Sequence, residues 1–170
     1  GADGGAPAAE EWSPQINIGT PVLIPDGYVA DLGVRLGLYR RIAELVDQAE
    51  IEAFAAELID RFGPLPGEVE NLLKVVAIKR LCLQAGIDRL EAGPKGAVVS
   101  FRLNRFANPE GLVDFMSSEA QRVKMRSDHK LVYRHDWSEP ERRFAGIERL
   151  MRRLAEIAAK AAPRRPAAGP

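Results

Sequence analysis

The stretch Glu57-Leu58-Ile59-Asp60-Arg61-Phe62-Gly63-Pro64-Leu65-Pro66 closes one amphipathic helix, turns a rigid corner and launches a second, more apolar helix. Ile51, Phe54, Ala55, Leu58, Ile59 and Phe62 recur at the spacing of one helix face. Glu50, Glu52, Glu57 and Asp60 fall on the other face. Gly63 supplies the positive φ that a helix C-terminus wants, and Pro64 forbids continuation. Pro66 stands near the next helix start, where a missing N–H costs little. The corner fixes how two helices meet and holds an acidic face in a defined orientation.

Downstream, Gly67 to Ala85 is apolar nearly all the way round, through Val69, Leu72, Leu73, Val76, Ile78, Leu81 and Cys82. Such a helix is covered on most sides and belongs at the centre of a core. Gly86 ends it. Upstream, Asp31 is the expected cap of a helix running to about Asp47, with Leu38, Tyr39, Ile42, Leu45 and Val46 inward. Gly33 and Gly37 weaken that helix by ~1 kcal/mol each relative to Ala, so packing must hold it. Ile16-Asn17-Ile18 and Val22-Leu23-Ile24 read as short extended pieces.

Past Gly86 the hydrophobic period changes. Ile87–Glu91 and Ala97–Leu103 read as strands around the turn Gly93-Pro94-Lys95-Gly96. Asn108-Pro109 opens a short helix. Gln121–Arg126 places Val123 and Met125 inward and Arg122, Lys124 and Arg126 outward, and Leu131–His135 pairs with it. Ser138 and Glu141 form an S-x-x-E capping box for a last helix with Phe144, Ile147, Met151, Leu154 and Ala158 along one stripe. The fold class is α+β: a helical N-terminal half packed with a small, mostly antiparallel sheet and a C-terminal helix. Residues 15–160 form the domain. Residues 1–14 are expected to be a disordered linker and 161–170 a disordered tail. The chain starts with Gly1 rather than Met and reads as a piece of a longer protein.

Formal net charge is zero, from 24 basic and 24 acidic residues, but residues 1–60 carry a balance of −8 and residues 61–170 one of +8. Either two differently solvated halves attract each other on folding, or an acidic and a basic patch meet separate partners. No apolar run is long enough to span a membrane, and a cytoplasmic location is expected. The single Cys82, in an apolar helical run, reads as a buried inert thiol.

Enzymatic motifs are missing. There is no P-loop, no dinucleotide fingerprint, no H-E-x-x-H and no Cys-x-x-Cys pair. His129 and His135 lack further ligands at metal-binding spacing and read as turn and strand-end residues in water. Ser100, Ser117, Ser118 and Ser138 lack a nucleophile context. Glu57 and Asp60 share a helix face, without the apolar surroundings that would split their pKa values into an acid and a base. No catalytic residue, metal or cofactor is expected. The row Arg122/Lys124/Arg126 and the last-helix arginines Arg142, Arg143, Arg149, Arg152 and Arg153 suit nucleic-acid phosphates, or are a solvated face interleaved with Glu139, Glu141, Glu148 and Glu156.

From about Ile16 to Ala155 the chain resembles the C-terminal domain of bacterial transcription-repair coupling factors. Ile24-Pro25, Tyr28, Asp31, Arg35-Leu36 and Leu38-Tyr39-Arg40-Arg41-Ile42 carry one part of the likeness. Glu57–Pro66 followed by Val69 and Asn71-Leu72-Leu73 carries the more specific part. Gly86-Ile87, Lys95-Gly96 and Asn108-Pro109 agree more weakly, and Ala30 stands where the family often has Pro. The resemblance implies a parent protein that is an ATP-driven DNA translocase, displacing stalled RNA polymerase and recruiting nucleotide excision repair. The motor motifs are not in this chain. It further implies a regulatory, autoinhibitory domain that folds back on the N-terminal UvrA-binding module and masks it. By resemblance, Glu57 and Asp60 are the candidate contacts to arginines of that module, with Leu65 and Pro66 adding apolar contact. The bland alternative for the carboxylates is helix solubility and an i,i+4 pair of Glu57 with Arg61, worth ~0.3 kcal/mol. Two further expectations are an accessory nucleic-acid-binding role for the basic half and a docking site for RNA polymerase.

Overall fold

The computed structural model describes residues 12–161. Its elements follow in chain order: β1 Gln15–Asn17, α1 Leu32–Ala43, α2 Gln48–Phe62, α3 Gly67–Ala85, β2 Ile87–Gly93, β3 Gly96–Phe101, a 3-10 turn Arg102–Asn104, α4 Pro109–Ser118, β4 Val123–Met125, β5 Leu131–Arg134 and α5 Pro140–Ala159. The five strands form one sheet in the order β1-β2-β3-β5-β4. β1 lies parallel to β2, and the other neighbours are antiparallel. This is the expected α+β architecture.

Two apolar clusters share α3 as their spine. Val69, Leu73 and Val76, in its first half, close the helical corner with Leu38, Ile42, Ile51, Phe54 and Leu58. Ile78, Cys82 and Ala85, in its second half, join Leu90, Val99 and Leu131 of the sheet and Ile147, Met151 and Leu154 of α5. The all-round apolar character of α3 is therefore used twice, once on each partner. Gly86 ends the helix in the left-handed region, φ +71°, where a glycine carries no Cβ penalty.

The outer parts of the chain expected to be linker and tail, 1–11 and 162–170, lie outside the described residues. Of the rest of that expected linker, Trp12 lies against Arg102, its ring centroid 4.9 Å from the guanidinium carbon, and Pro14 is buried.

Several local expectations are corrected. The first helix stops at Ala43 rather than Asp47, because Asp47 caps α2 by accepting from Glu50 N at 2.8 Å. Val46 is left outside the helix and 66% exposed, its carbonyl taken by Arg80 Nε at 2.6 Å. Val22-Leu23-Ile24 forms no strand; the Ile24 amide bonds the Tyr39 hydroxyl at 2.7 Å instead of a neighbouring strand. Ile59 is exposed, because it points about 100° round α2 from the buried Leu58 and neither α1 nor α3 reaches it. The strand expected to end at Leu103 ends at Phe101: its partner β2 begins at Ile87, and Gly86 O takes the Arg102 amide at 2.8 Å. Leu103 then turns outward at φ +56°. Met125 is exposed at the end of an edge strand rather than inward. The capping box does not form. Pro140 sets the first helical position, Glu139 becomes the cap without a side-chain bond, and Ser138 bonds Asp136. His135 is not a residue in water. It is half-buried and packs in a three-ring cluster with Tyr133 and Trp137, at 6.2 and 5.8 Å between centroids.

Candidate functional site

The corner is held by residues distant in sequence. Gly63 takes φ +92°, and its amide donates to Ile59 O at 2.9 Å. The Tyr28 hydroxyl sits 2.8 Å from Gly63 O and 3.1 Å from Leu58 O, and its one proton is shared between these carbonyls at the helix end. The Tyr28 ring leans on Phe62 at 5.7 Å. Tyr28 is itself placed by the turn Pro25–Tyr28, whose amide returns to Pro25 O at 3.0 Å. Arg35 Nη1 donates to Val29 O at 2.8 Å, tying α1 to that turn. Asp31 caps α1 by accepting from Val34 N at 2.8 Å. Tyr28, Asp31, Arg35 and Tyr39 thus all serve to fix the corner.

Glu57 lies on the α1 side of α2. Arg41 grips it with two bonds, Nη1 to Oε2 at 2.5 Å and Nη2 to Oε1 at 2.7 Å, and Arg61 adds a third at 3.0 Å. The guanidinium bonds from Arg41 and then Arg61 lower the Glu57 pKa from 4.5 to about 2. The two arginines are ordered in turn by rings, Arg41 over Phe54 at 4.9 Å and Arg61 over Phe62 at 4.8 Å. The Arg61 pair is the plain i,i+4 pair read from sequence. The Arg41 fork comes from a separate helix sixteen residues away and has no periodic signal in the chain.

Asp60 is exposed one turn further on, with no ion-pair partner among the described residues. Leu65 is half-buried against the helical cluster. Pro66 is half-buried as the N-cap of α3. The four candidate residues therefore share one corner, Glu57 and Asp60 on its α2 limb and Leu65 and Pro66 on its bend. Arg41 is the member missed at first. Glu57, held well below the usual carboxylate range by its two guanidiniums, is ionised at neutral pH.

Of the arginines considered for phosphate contact, Arg143 is removed by the structure. It is 4% exposed and donates to Ile18 O at 2.9 Å, Trp137 O at 3.1 Å and Thr20 Oγ1 at 3.3 Å. It closes the start of the chain onto α5. Arg152 pairs with Glu148 at 2.6 Å.

A family model described as the TRCF domain matches residues 18–112. The transcription-repair-coupling factor of Rickettsia conorii is 44% identical over 124 residues, covering 73% of this chain. That of Escherichia coli is 32% identical over 158 residues, covering 91% of this chain. The chain spans only 11% and 14% of those two relatives' own lengths. A crystal structure of the C-terminal domain of transcription-repair coupling factor superposes with a TM-score of 0.71 at 19% identity, over 89% of this chain and 97% of that one. At that identity the superposition speaks for the fold.

Proposed function

Because this chain belongs to the TRCF-domain family of transcription-repair-coupling factors, we propose that it is a non-catalytic, autoinhibitory docking domain. In this reading it folds back on the N-terminal module of its parent protein and masks the surface that binds UvrA. The parent protein is then the DNA translocase that displaces stalled RNA polymerase and recruits nucleotide excision repair, acting in the cytoplasm with its motor elsewhere in the chain.

The observation that carries the reading is the corner's free carboxylate, Asp60, exposed and without an ion-pair partner among the described residues. A carboxylate has about four lone-pair sites, and Arg41 and Arg61 occupy three. Glu57 is about a third exposed and its charge is already met by both guanidiniums, so it holds the corner in shape rather than inviting a further cation. Asp60 offers a second carboxylate beside it, and Leu65 and Pro66 an apolar rim. Rim ion pairs are individually weak, which suits a lock that has to open. Coupling of about 1–3 kcal/mol corresponds to a 5–150-fold change in affinity at the masked site.

The test uses the full-length protein. Asp60→Lys with Glu57→Gln is expected to raise UvrA affinity at least about five-fold, the low end of that coupling range, while circular dichroism of the domain stays native. Unchanged UvrA affinity in a folded variant removes these residues from the lock.

A second reading, nucleic-acid contact through the basic half, is favoured by one observation. Arg122, Lys124, Lys130 and Arg134 carry no carboxylate partner among the described residues.

A further inference from the structure

The basic half does not present one surface, and the sheet register separates it into two. Leu90, Val99 and Leu131 point into the cluster that holds Ile147, Met151 and Leu154, so α5 covers that face of the sheet. Side chains alternate along a strand, which sends their neighbours to the opposite face, where no described helix packs. The register lines these neighbours into rows. Asn17, Glu91, Val98, Val132 and Lys124 stand side by side across all five strands. A second row runs from Gln15 and Arg89 through Ser100 towards Lys130, and a third joins Gly96 to Arg134. Arg122 flanks Arg134, whose amide donates to Arg122 O at 2.8 Å. The exposed arginines of α5 lie on the far side of the molecule from these rows.

The charges on the open face are uneven. On β2, Arg89 is neutralised by Glu91 at 3.0 Å. On the β4–β5 half, Lys124, Lys130, Arg134 and Arg122 are unpaired among the described residues, and the nearby Asp128 is taken by Arg126 at 2.8 Å. The surface between them is shallow. A depression of about 620 Å³ lies over Val98, Val132 and Arg134, and one of about 460 Å³ over Ser100, Arg89 and Lys130. Val98 and Val132 lie in the larger depression, and Trp12 and Asp88 line the smaller one with Lys130. A single strand is gripped by stacking its bases on rings, and the rings nearest this half are already engaged, Trp12 with Arg102 and Tyr133 with Trp137. What it offers is an open surface of point charges.

We propose that the β4–β5 half of the uncovered sheet face is a phosphate-backbone site for double-stranded DNA, with Arg122, Lys124, Lys130 and Arg134 as the contacting cations. This rests on the second reading above and gives it a place. Lys130 to Arg134 spans about 13 Å of strand, and a duplex presents one phosphate per ~3.4 Å of axis on each strand. The four cations stand at three levels along that span, Arg122 beside Arg134, then Lys124, then Lys130, and face a short run of backbone phosphates. Contacts of this kind read no sequence, and the binding is non-specific and salt-sensitive.

The experiment is fluorescence anisotropy of the whole chain with a short labelled duplex, titrated between about 50 and 200 mM salt. The expected slope of log K against log salt is about −3 to −4. Lys124→Glu with Arg134→Glu is expected to weaken binding at least about ten-fold at low salt and to flatten the slope by about 2. Arg149→Glu with Arg153→Glu, on the α5 side, and Arg164→Glu with Arg165→Glu are expected to leave binding unchanged. Circular dichroism checks that each variant is folded. Binding that survives the sheet-face reversals but is lost with either control pair overturns the placement and leaves the nucleic-acid reading standing. No binding of duplex at low salt overturns both. Equal competition by poly-glutamate overturns the choice of DNA in favour of an acidic protein partner, and tighter binding of a single strand overturns the choice of duplex.

Discussion

Arg41 and Glu57, on successive helices, meet in a two-pronged bond of 2.5 and 2.7 Å. The guanidinium fork matches the carboxylate, while the Phe54 ring beneath Arg41 limits its rotation. The pair bridges α1 and α2 above the buried cluster that joins them. It also makes the corner acid-sensitive. Glu57 has a folded-state pKa depressed from 4.5 to about 2. Its contribution is therefore complete above about pH 4.5 and is lost as pH falls through about 2. Because Glu57 is about a third exposed and Arg41 about half, solvent screening holds that contribution to about 0.5–1 kcal/mol. Glu57→Gln is expected to lower stability by that amount at pH 7 and to flatten the acid limb between those pH values. Urea melts at a series of pH values check it, and identical acid limbs for the two proteins would count against the pairing.

Arg143 makes a stronger prediction. Its charge is buried without a carboxylate partner among the described residues and is held by carbonyls distant in sequence, Ile18 and Trp137. Arg143→Met keeps most of the volume and removes every donor, leaving those buried acceptors unmet. The expected loss is about 2–4 kcal/mol. Denaturant unfolding measures it, and a change under about 0.5 kcal/mol, the range of a neutral surface site, would deny the guanidinium its role.

Cys82 is fully buried beside Met151, with its sulfur 3.7 Å from the thioether. Burial pushes the thiol up to about 12, far from the thiolate that reacts. A disulfide reagent at pH 8 is expected to modify it only as fast as the domain opens, with the rate rising in step with unfolding as urea is added. Labelling at the speed of a free thiol in native buffer would contradict the placement.

The parts of the fold visible in the chain were those written as period or punctuation. Ile51–Phe62, Gly63-Pro64 and the apolar Gly67–Ala85 run each carry local signals, and each formed within a few residues of the expected bounds. The candidate residues lie on that corner, but their role came from the family resemblance and not from period or punctuation. What stayed hidden was set by tertiary partners. The Arg41–Glu57 fork joins two helices, and no spacing rule links residues sixteen apart. Arg143 looked like one more arginine on a basic helix. Only the arrival of Ile18 and Trp137 beside it turns it inward. Met125 satisfied strand alternation, but at a sheet edge alternation does not guarantee a cover. Ser138 had the capping letters, yet Pro140 moved the cap by one residue.

Gly146 gives the last prediction, and its sign is opposite to the usual one. It sits in the middle of α5, where replacing glycine by alanine ordinarily stabilises a helix by about 1 kcal/mol. Here the position is buried, and the indole of Trp137 lies across it. A Cβ would fall inside van der Waals contact of three indole atoms. Trp137 cannot retreat easily, because it is 2% exposed and stacked on Tyr133 and His135. The Trp137 amide is also tied to Pro94 O at 2.8 Å, and its carbonyl to Arg143. Overpacking of this kind costs about 1–3 kcal/mol, which outweighs the helix gain. Gly146→Ala is therefore expected to lower the unfolding midpoint and to change the near-ultraviolet dichroism of the Trp137 environment. Gly37→Ala in α1, where a Cβ meets nothing within 4 Å, is expected to raise the midpoint. If both alanines stabilise alike, the indole does not press on α5 as described.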